Sequence, residues 1–432
     1  MTRVSLFKNE KTMCGTETGQ MVFPWFSIIA AVVIILASMF ISPYLNILAF
    51  LICIIRILRY GSIIFSTDYC ILITVSLPFQ FDGYVLLPYL CLFAAIWFAC
   101  TENIKIDALA VILVMQLAYL LVRMNRGYTN LILCFSQLLL LCEIIRGQCK
   151  RTAILSIKSF IVSLLASSLY AYIFRGTGQL RALRGPEVPA YWLSSHFRFN
   201  GLFRDPNYYM ALLIVALALL INLRFKNEME QAPFITLSII FSAFGLLTYS
   251  KTFLILIVAV YIVYVLLLIG KRKYLFAFSL IVMTGVVVWL TLQIDGSPLQ
   301  IIVHRFSMAT NLDDLTTGRS DLYIRYIRAI NESASSFFFG YGLDAEFLGL
   351  SPHNLYLEIL YYLGLGGLLL FIMEVVAYLQ LIHTETSGVQ KRSMLMVYYP
   401  LLLVGGLFFT LAGMFSPSTY VMIFLVLISM LI

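Results

Sequence analysis

Thr252 to Gly270 reads TFLILIVAVYIVYVLLLIG, an uncharged run held between Ser250-Lys251 on one side and Lys271-Arg272-Lys273 on the other. A helix of that length rises about 28 Å, close to the thickness of a bilayer's hydrocarbon core. Similar runs recur along almost the whole chain, and 61% of the residues are apolar against 12% charged. With a mean hydropathy of +0.95, so much apolar surface cannot be hidden inside one water-soluble globule, and the solvent must be lipid. Lipid leaves only helices or closed barrels with satisfied backbones, and unbroken rather than alternating apolar runs select helices.

The fold class expected is therefore an all-α polytopic membrane protein with about fourteen spans. They fall at 23–42, 44–58, 63–79, 84–100, 106–122, 128–145, 153–174, 207–223, 233–249, 252–270, 274–293, 355–382, 395–413 and 418–432. Residues 1–22 form a polar N-terminal segment with no small-residue cleavage site before the next apolar run, so Phe23 to Ser42 reads as a retained span. Residues 23–432 form one membrane domain, without a soluble domain, linker, heptad seam or internal repeat. A cytoplasmic N-terminus puts Arg56/Arg59, Arg146/Lys150/Arg151, Arg224/Lys226, Lys271/Arg272/Lys273 and Lys391/Arg392 on the cytoplasmic side, as the positive-inside rule requires.

Two segments then face outward, 175–206 and 294–354. The first carries Arg175, Arg181, Arg184, Arg198 and Arg204, and the second Arg305, Arg319, Arg325 and Arg328. Long outer loops tolerate charge, but cations kept on that side also fit an anionic ligand. The net charge of +8 is spread over loops between spans, which argues for orientation and anion binding and against nucleic acid. The eight cysteines lie mostly in apolar runs with no CxxC pair, and read as small apolar fillers.

At four places a helix start carries a polar cap with a cation or histidine beside it. A helix N-terminus attracts anions through free N–H groups and about half a positive charge, and ordinarily avoids Lys and Arg. In Phe203-Arg204-Asp205-Pro206-Asn207, Asp205 reads as N-cap and Pro206 as first helical residue. Arg204 beside them fits an ion pair with Asp205 or an anion contact. At Tyr249-Ser250-Lys251-Thr252, Lys251 stands at the tip of a tight helical hairpin, fitting either snorkelling to headgroups or a phosphate contact.

In Thr316-Thr317-Gly318-Arg319-Ser320-Asp321, a threonine or Ser320 caps an amphipathic stretch through Tyr323, Ile324, Ile327 and Ile330, expected along the outer membrane surface. Arg325 follows Asp321 by four, the order of a stabilising helix pair, whereas Arg319 stands at the unfavourable end. In Ser351-Pro352-His353-Asn354, Ser351 reads as cap and Pro352 as first residue, which places His353 in a first turn that disfavours imidazolium. Such a histidine can accept a proton.

There is no HExxH, DxD, Walker or serine- or cysteine-nucleophile pattern, so no metal and no cofactor is expected. Departing negative charge would instead meet Arg and Lys.

Three segments together resemble the O-antigen polymerase and O-antigen ligase superfamily of bacterial envelope enzymes. They are Gly201 to Asn207, Thr317-Gly318-Arg319 running on to Phe339-Gly340-Tyr341-Gly342, and His353-Asn354 followed by Gly364 and Gly367. The resemblance covers about residues 170–380. It implies a helical membrane glycosyltransferase of the GT-C kind in the bacterial cytoplasmic membrane, multi-pass, with its site facing outward. The donor implied is a polyprenyl diphosphate-linked glycan and the acceptor a sugar hydroxyl, transferred without metal. Chain-length regulator and flippase proteins are the partners implied.

Carried over, Arg204 and Arg319 would contact the diphosphate and His353 would orient or deprotonate the acceptor. The substrate-binding set around them is Lys251, Asp205, Asn207, Asn354, Arg198 and Arg325. The family's Ser-Arg appears here as Ser250-Lys251, which keeps the charge and loses the bidentate fork. Polymerisation of repeat units is favoured over ligation to lipid A core, from the high span count and the tyrosine-rich early half. A non-catalytic lipid-linked glycan flippase or transporter is a further alternative, which would carry charge inside mid-membrane helices.

Overall fold

The computed structural model describes residues 107–123, 150–175, 198–203, 205–307, 319–346 and 354–385, apart from a few isolated positions. Among these the regular structure is helical. The helices are α1 (Ala108–Val122), α2 (Lys150–Phe174), α3 (Pro206–Phe225), α4 (Gln231–Leu246) and α5 (Lys251–Gly270). They continue with α6 (Tyr274–Leu292), α7 (Pro298–Ser307), α8 (Arg319–Ile330), α9 (Ala334–Phe339) and α10 (Leu355–Glu385). Within α2, α3, α5, α6 and α10, stretches of 19 to 23 residues are long and apolar enough to cross a membrane. The spans expected at 44–58, 63–79, 84–100, 128–145, 395–413 and 418–432, and at 23–42, fall outside the described residues apart from isolated positions.

The strongest packing falls into two groups, α2 to α7 around α3, and α1, α8 and α9 around α10. Helix α3 is apolar on all sides, and Leu213, Ala216, Leu219, Leu220 and Leu223 are buried. That pattern marks a core helix. Helix α6 is equally apolar but turned outward, with Leu275 85% and Trp289 61% exposed. An apolar surface of that extent is stable against lipid, not water.

Short turns join α3 to α4, α4 to α5 and α5 to α6. At two of them a late N–H reaches back over the helix end, from Glu228 to the Leu223 carbonyl at 2.8 Å and from Lys273 to the Leu268 carbonyl at 2.9 Å. This closure requires a left-handed residue at the turn, and Asn227 (φ 60°) and Arg272 (φ 57°) take that role without glycine.

In the second group α10 kinks at Gly364 (φ 65°, ψ −168°). Carbonyls before the kink accept from outside the helix: Tyr361 from the Tyr341 N–H at 2.8 Å, Tyr362 from the Gly342 N–H at 2.9 Å, and Leu363 from the Tyr119 hydroxyl at 2.6 Å. The Arg123 guanidinium donates to the Gly340 carbonyl at 2.5 Å, so the end of α1, the segment after α9 and the kink of α10 close on one another.

Three sequence expectations change here. The outward segment 294–354 holds, besides the amphipathic helix expected through Tyr323 and Ile330, which is α8, two short helices that were not expected, α7 and α9. In α8 the packed face runs through Tyr326 and Ile330, while Ile324 and Ile327 are exposed, because Tyr326 turns its ring onto Tyr361 at 4.9 Å. Helix α10 starts three residues later than Ser351-Pro352 would start it. Asn354 is the cap, its side-chain oxygen accepting from the N–H groups of Tyr356 at 3.1 Å and Leu357 at 3.3 Å.

Hydropathy also passed over two carboxyl side chains of α10, Glu358 and Glu374, both buried. Glu374 hydrogen-bonds Gln116 of α1.

Candidate functional site

Helices α3 and α5 pack together and begin at the same end of the first group, where the α4–α5 turn reaches it. Asp205 is extended (φ −108°, ψ 123°) and caps α3, its carboxylate accepting from the Asn207 N–H at 2.7 Å. Pro206 follows as the first helical residue, where its missing N–H costs nothing. Ser250 caps α5 by accepting from the Phe253 N–H at 3.3 Å, which makes Lys251 the first helical residue. Two helix starts thus bring roughly one positive charge between them to one place.

A short strap ties them together. The Phe199 N–H donates to the Leu247 carbonyl at 2.9 Å. Arg198 donates from Nε to the Thr248 carbonyl at 2.8 Å and from Nη2 to Asn207 Oδ1 at 3.2 Å. One guanidinium therefore bridges the turn before α5 and the first turn of α3.

Below the strap the floor is aromatic. Phe199 stacks on Phe244 with centroids 5.6 Å apart and meets Tyr209 edge-on at 5.3 Å, and Tyr209 donates to Ser168 Oγ at 2.7 Å. Gly201 is left-handed (φ 57°), and a Cβ there would stand 2.5 Å from the Tyr209 ring. Glycine at this point lets the chain lie flat on that ring.

Further cations close the tip of the hairpin. Arg305, in the last turn of α7, donates from Nη1 to the Tyr249 carbonyl at 2.5 Å. Tyr249 is itself left-handed (φ 50°), and its carbonyl takes this side-chain donor. Burial lowers Arg305 below the ordinary arginine range, yet a guanidinium stays charged. The Lys251 ammonium lies 5.3 Å from the Phe306 ring centre. Arg175, over the Tyr172 ring at 4.7 Å, is close enough for its charge to act on Tyr249.

Of the residues read from sequence, Arg198, Asp205, Asn207 and Lys251 come together here. Arg325 stands exposed on α8, and Asn354 caps α10, both in the second group. Arg204, His353 and the Arg319 side chain lie outside the described residues. Local pattern did not pick out Thr248, Tyr249 or Arg305 as parts of this cluster. Arg305 was visible as an outer-loop cation, but its partner lies 56 residues away in the chain.

Arranged this way, the cluster can hold an anion: positive helix starts, a fixed guanidinium and an ammonium share one end of the first group over an aromatic floor. No protein-family model, curated protein or solved structure matches the chain.

Proposed function

We propose that the chain polymerises polyprenyl diphosphate-linked glycan repeat units, as a GT-C-like membrane glycosyltransferase acting at the outer face of a bacterial cytoplasmic membrane. One observation carries the reading: the starts of α3 and α5 lie side by side, with Arg198, Lys251 and Arg305 gathered at them. A diphosphate leaving group develops negative charge as the glycosidic bond forms, and preorganised cations at helix starts stabilise that charge. Arg204 precedes the cap of α3 and would add a contact. Arg319 would meet the same diphosphate, with His353 taking the proton of the acceptor hydroxyl.

The test is glycan assembly in a deletion strain carrying variants at wild-type membrane levels. Arg204→Ala and Arg319→Ala should each lower assembly roughly 100- to 1000-fold, the loss expected for one charge-assisted contact to a developing anion. Arg325→Ala, at an exposed helix position, should do much less. Near-normal polymer from Arg319→Ala rejects its assignment.

A second reading, a lipid-linked glycan carrier, has one observation in its favour, the buried Glu374–Gln116 pair inside the bundle. Polymerisation needs no carboxyl there beyond packing, so Glu374→Gln should leave polymer length unchanged. A carrier should instead lose export of single repeat units.

A further inference from the structure

Helices α3 and α5 have 20 residues each, so their far ends lie about 30 Å from the candidate site. There the α3–α4 and α5–α6 turns line an open cavity of about 470 Å³, with Arg224, Lys271, Arg272 and Lys273 among its walls beside Tyr264 and Tyr274. The acidic residues Glu228 and Glu230 of the same turn are not part of that lining.

Keeping positive charge on one side of a membrane requires charge alone. It does not require two turns to converge. Here the Lys271 ammonium donates to the Phe225 carbonyl at 2.7 Å and sits 3.7 Å from the Phe225 ring centre. Arg224 donates to the Met229 carbonyl at 3.3 Å. These bonds fix the walls of the cavity and bring the cations of both turns to one place.

The helix ends do not neutralise that charge. The C-termini of α3 and α5 bring roughly one negative charge between them, and the N-termini of α4 and α6 roughly one positive charge. Four cations therefore remain uncompensated by helix dipoles. Burial, with the charges of Lys273 and Arg224 beside it, holds Lys271 below the usual lysine range. Cations crowded this way repel one another, and an anion among them relieves the repulsion. Neither Glu230 nor Lys273 supplies a side-chain cap to the helix it precedes, so N–H groups at the rim add donors.

We infer that this cavity is an anion site for a phosphate group, supplied by the headgroup of an acidic membrane lipid or by free phosphate. The tyrosines suit a headgroup at the membrane interface, where amphipathic rings gather. Basic pockets between membrane helices bind such headgroups by charge. The site is separate from the proposed transfer site and does not depend on it.

The test uses the purified full-length protein in detergent, with retained lipid read by native mass spectrometry. It is titrated with phosphatidylglycerol, with phosphatidylcholine, and separately with sodium phosphate read by calorimetry. Phosphatidylglycerol should be retained in preference to phosphatidylcholine. The Lys271→Gln, Arg272→Gln double variant should bind it roughly 30-fold more weakly, from two surface charges lost. Lys226→Gln removes a charge from the same turn outside the lining and should change nothing.

Lipid retention without phosphate binding identifies the headgroup as source, and phosphate binding lost in the double variant identifies the free ion. Equal retention of the two lipids with no phosphate binding, or binding untouched by the double variant, overturns the inference. If the double variant does not fold, Arg272→Gln alone, at an exposed turn, should weaken binding roughly fivefold.

Discussion

Gly340 and Gly364 cross backbone to backbone. A Cβ on Gly340 would lie 2.5 Å from the Tyr362 carbonyl, and one on Gly364 2.5 Å from that of Phe338. Their φ angles are 70° and 65° with ψ near extended, a region that glycine alone adopts freely. Gly340→Ala and Gly364→Ala should each cost about 1–3 kcal/mol in backbone strain and a similar amount in overpacking. The measurement is the melting temperature of the purified protein in detergent. Gly285→Ala, in α6 with nothing within 4 Å of the new methyl, should hold or raise it. An unchanged melting temperature for Gly364→Ala would show that the crossing is not formed.

Arg305→Ala should weaken both fold and function, because the Tyr249 carbonyl loses its donor. An orphaned buried acceptor costs about 1–3 kcal/mol, and the hairpin tip carrying Lys251 is then no longer held. Arg305→Lys restores charge without the planar fork and should recover stability only in part. Limited proteolysis at the α4–α5 turn reads the loosening directly. No change in cleavage would separate Arg305 from the hairpin.

His353 separates chemistry from architecture. His353→Gln keeps hydrogen bonding but cannot accept a proton, so the variant should fold, retain lipid-linked donor and fail to turn over. Polymerisation by purified His353→Gln at the wild-type rate would remove the general base from the proposal.

The proposal also fixes which side each turn faces. A reporter fused after residue 190 or 320 should be exported, and one after 148, 228 or 272 should remain cytoplasmic. A cytoplasmic signal from the fusion at 190 would put the cluster at Lys251 and Arg305 in the wrong compartment for an exported donor.

What could be read in advance was what is local. Asp205-Pro206 and Ser250-Lys251 start helices in the structure where cap chemistry places them, since an N-cap acts within three residues. The start of α10 was read at Ser351, while the structure caps the helix with Asn354. Both satisfy the local rule, and nothing in the sequence alone chooses between them. The short helices α7 and α9 went unread because a span-length hydropathy window averages over segments of ten and six residues. The same averaging hid Glu358 and Glu374. The reach of Arg305 to Tyr249 and the meeting of Gly340 with Gly364 join distant parts of the chain, and periodicity carries no information about such pairs.

The bond between Arg123 and Gly340 spans 217 residues, and this bears on the order in which the protein is made. At ordinary translation rates the partner of α1 emerges roughly 10 to 40 seconds after α1 itself. During that interval α2 to α7, which pack chiefly among themselves, are already synthesised. Among the described residues, the partners of Gln116 and Tyr119 on α10, Glu374 and Leu363, therefore arrive only after that interval. A ribosome stalled after Ser307 would hold, among the described residues, a first group whose main helix pairings can already form, and an α1 whose main helix partner, α10, has yet to be made.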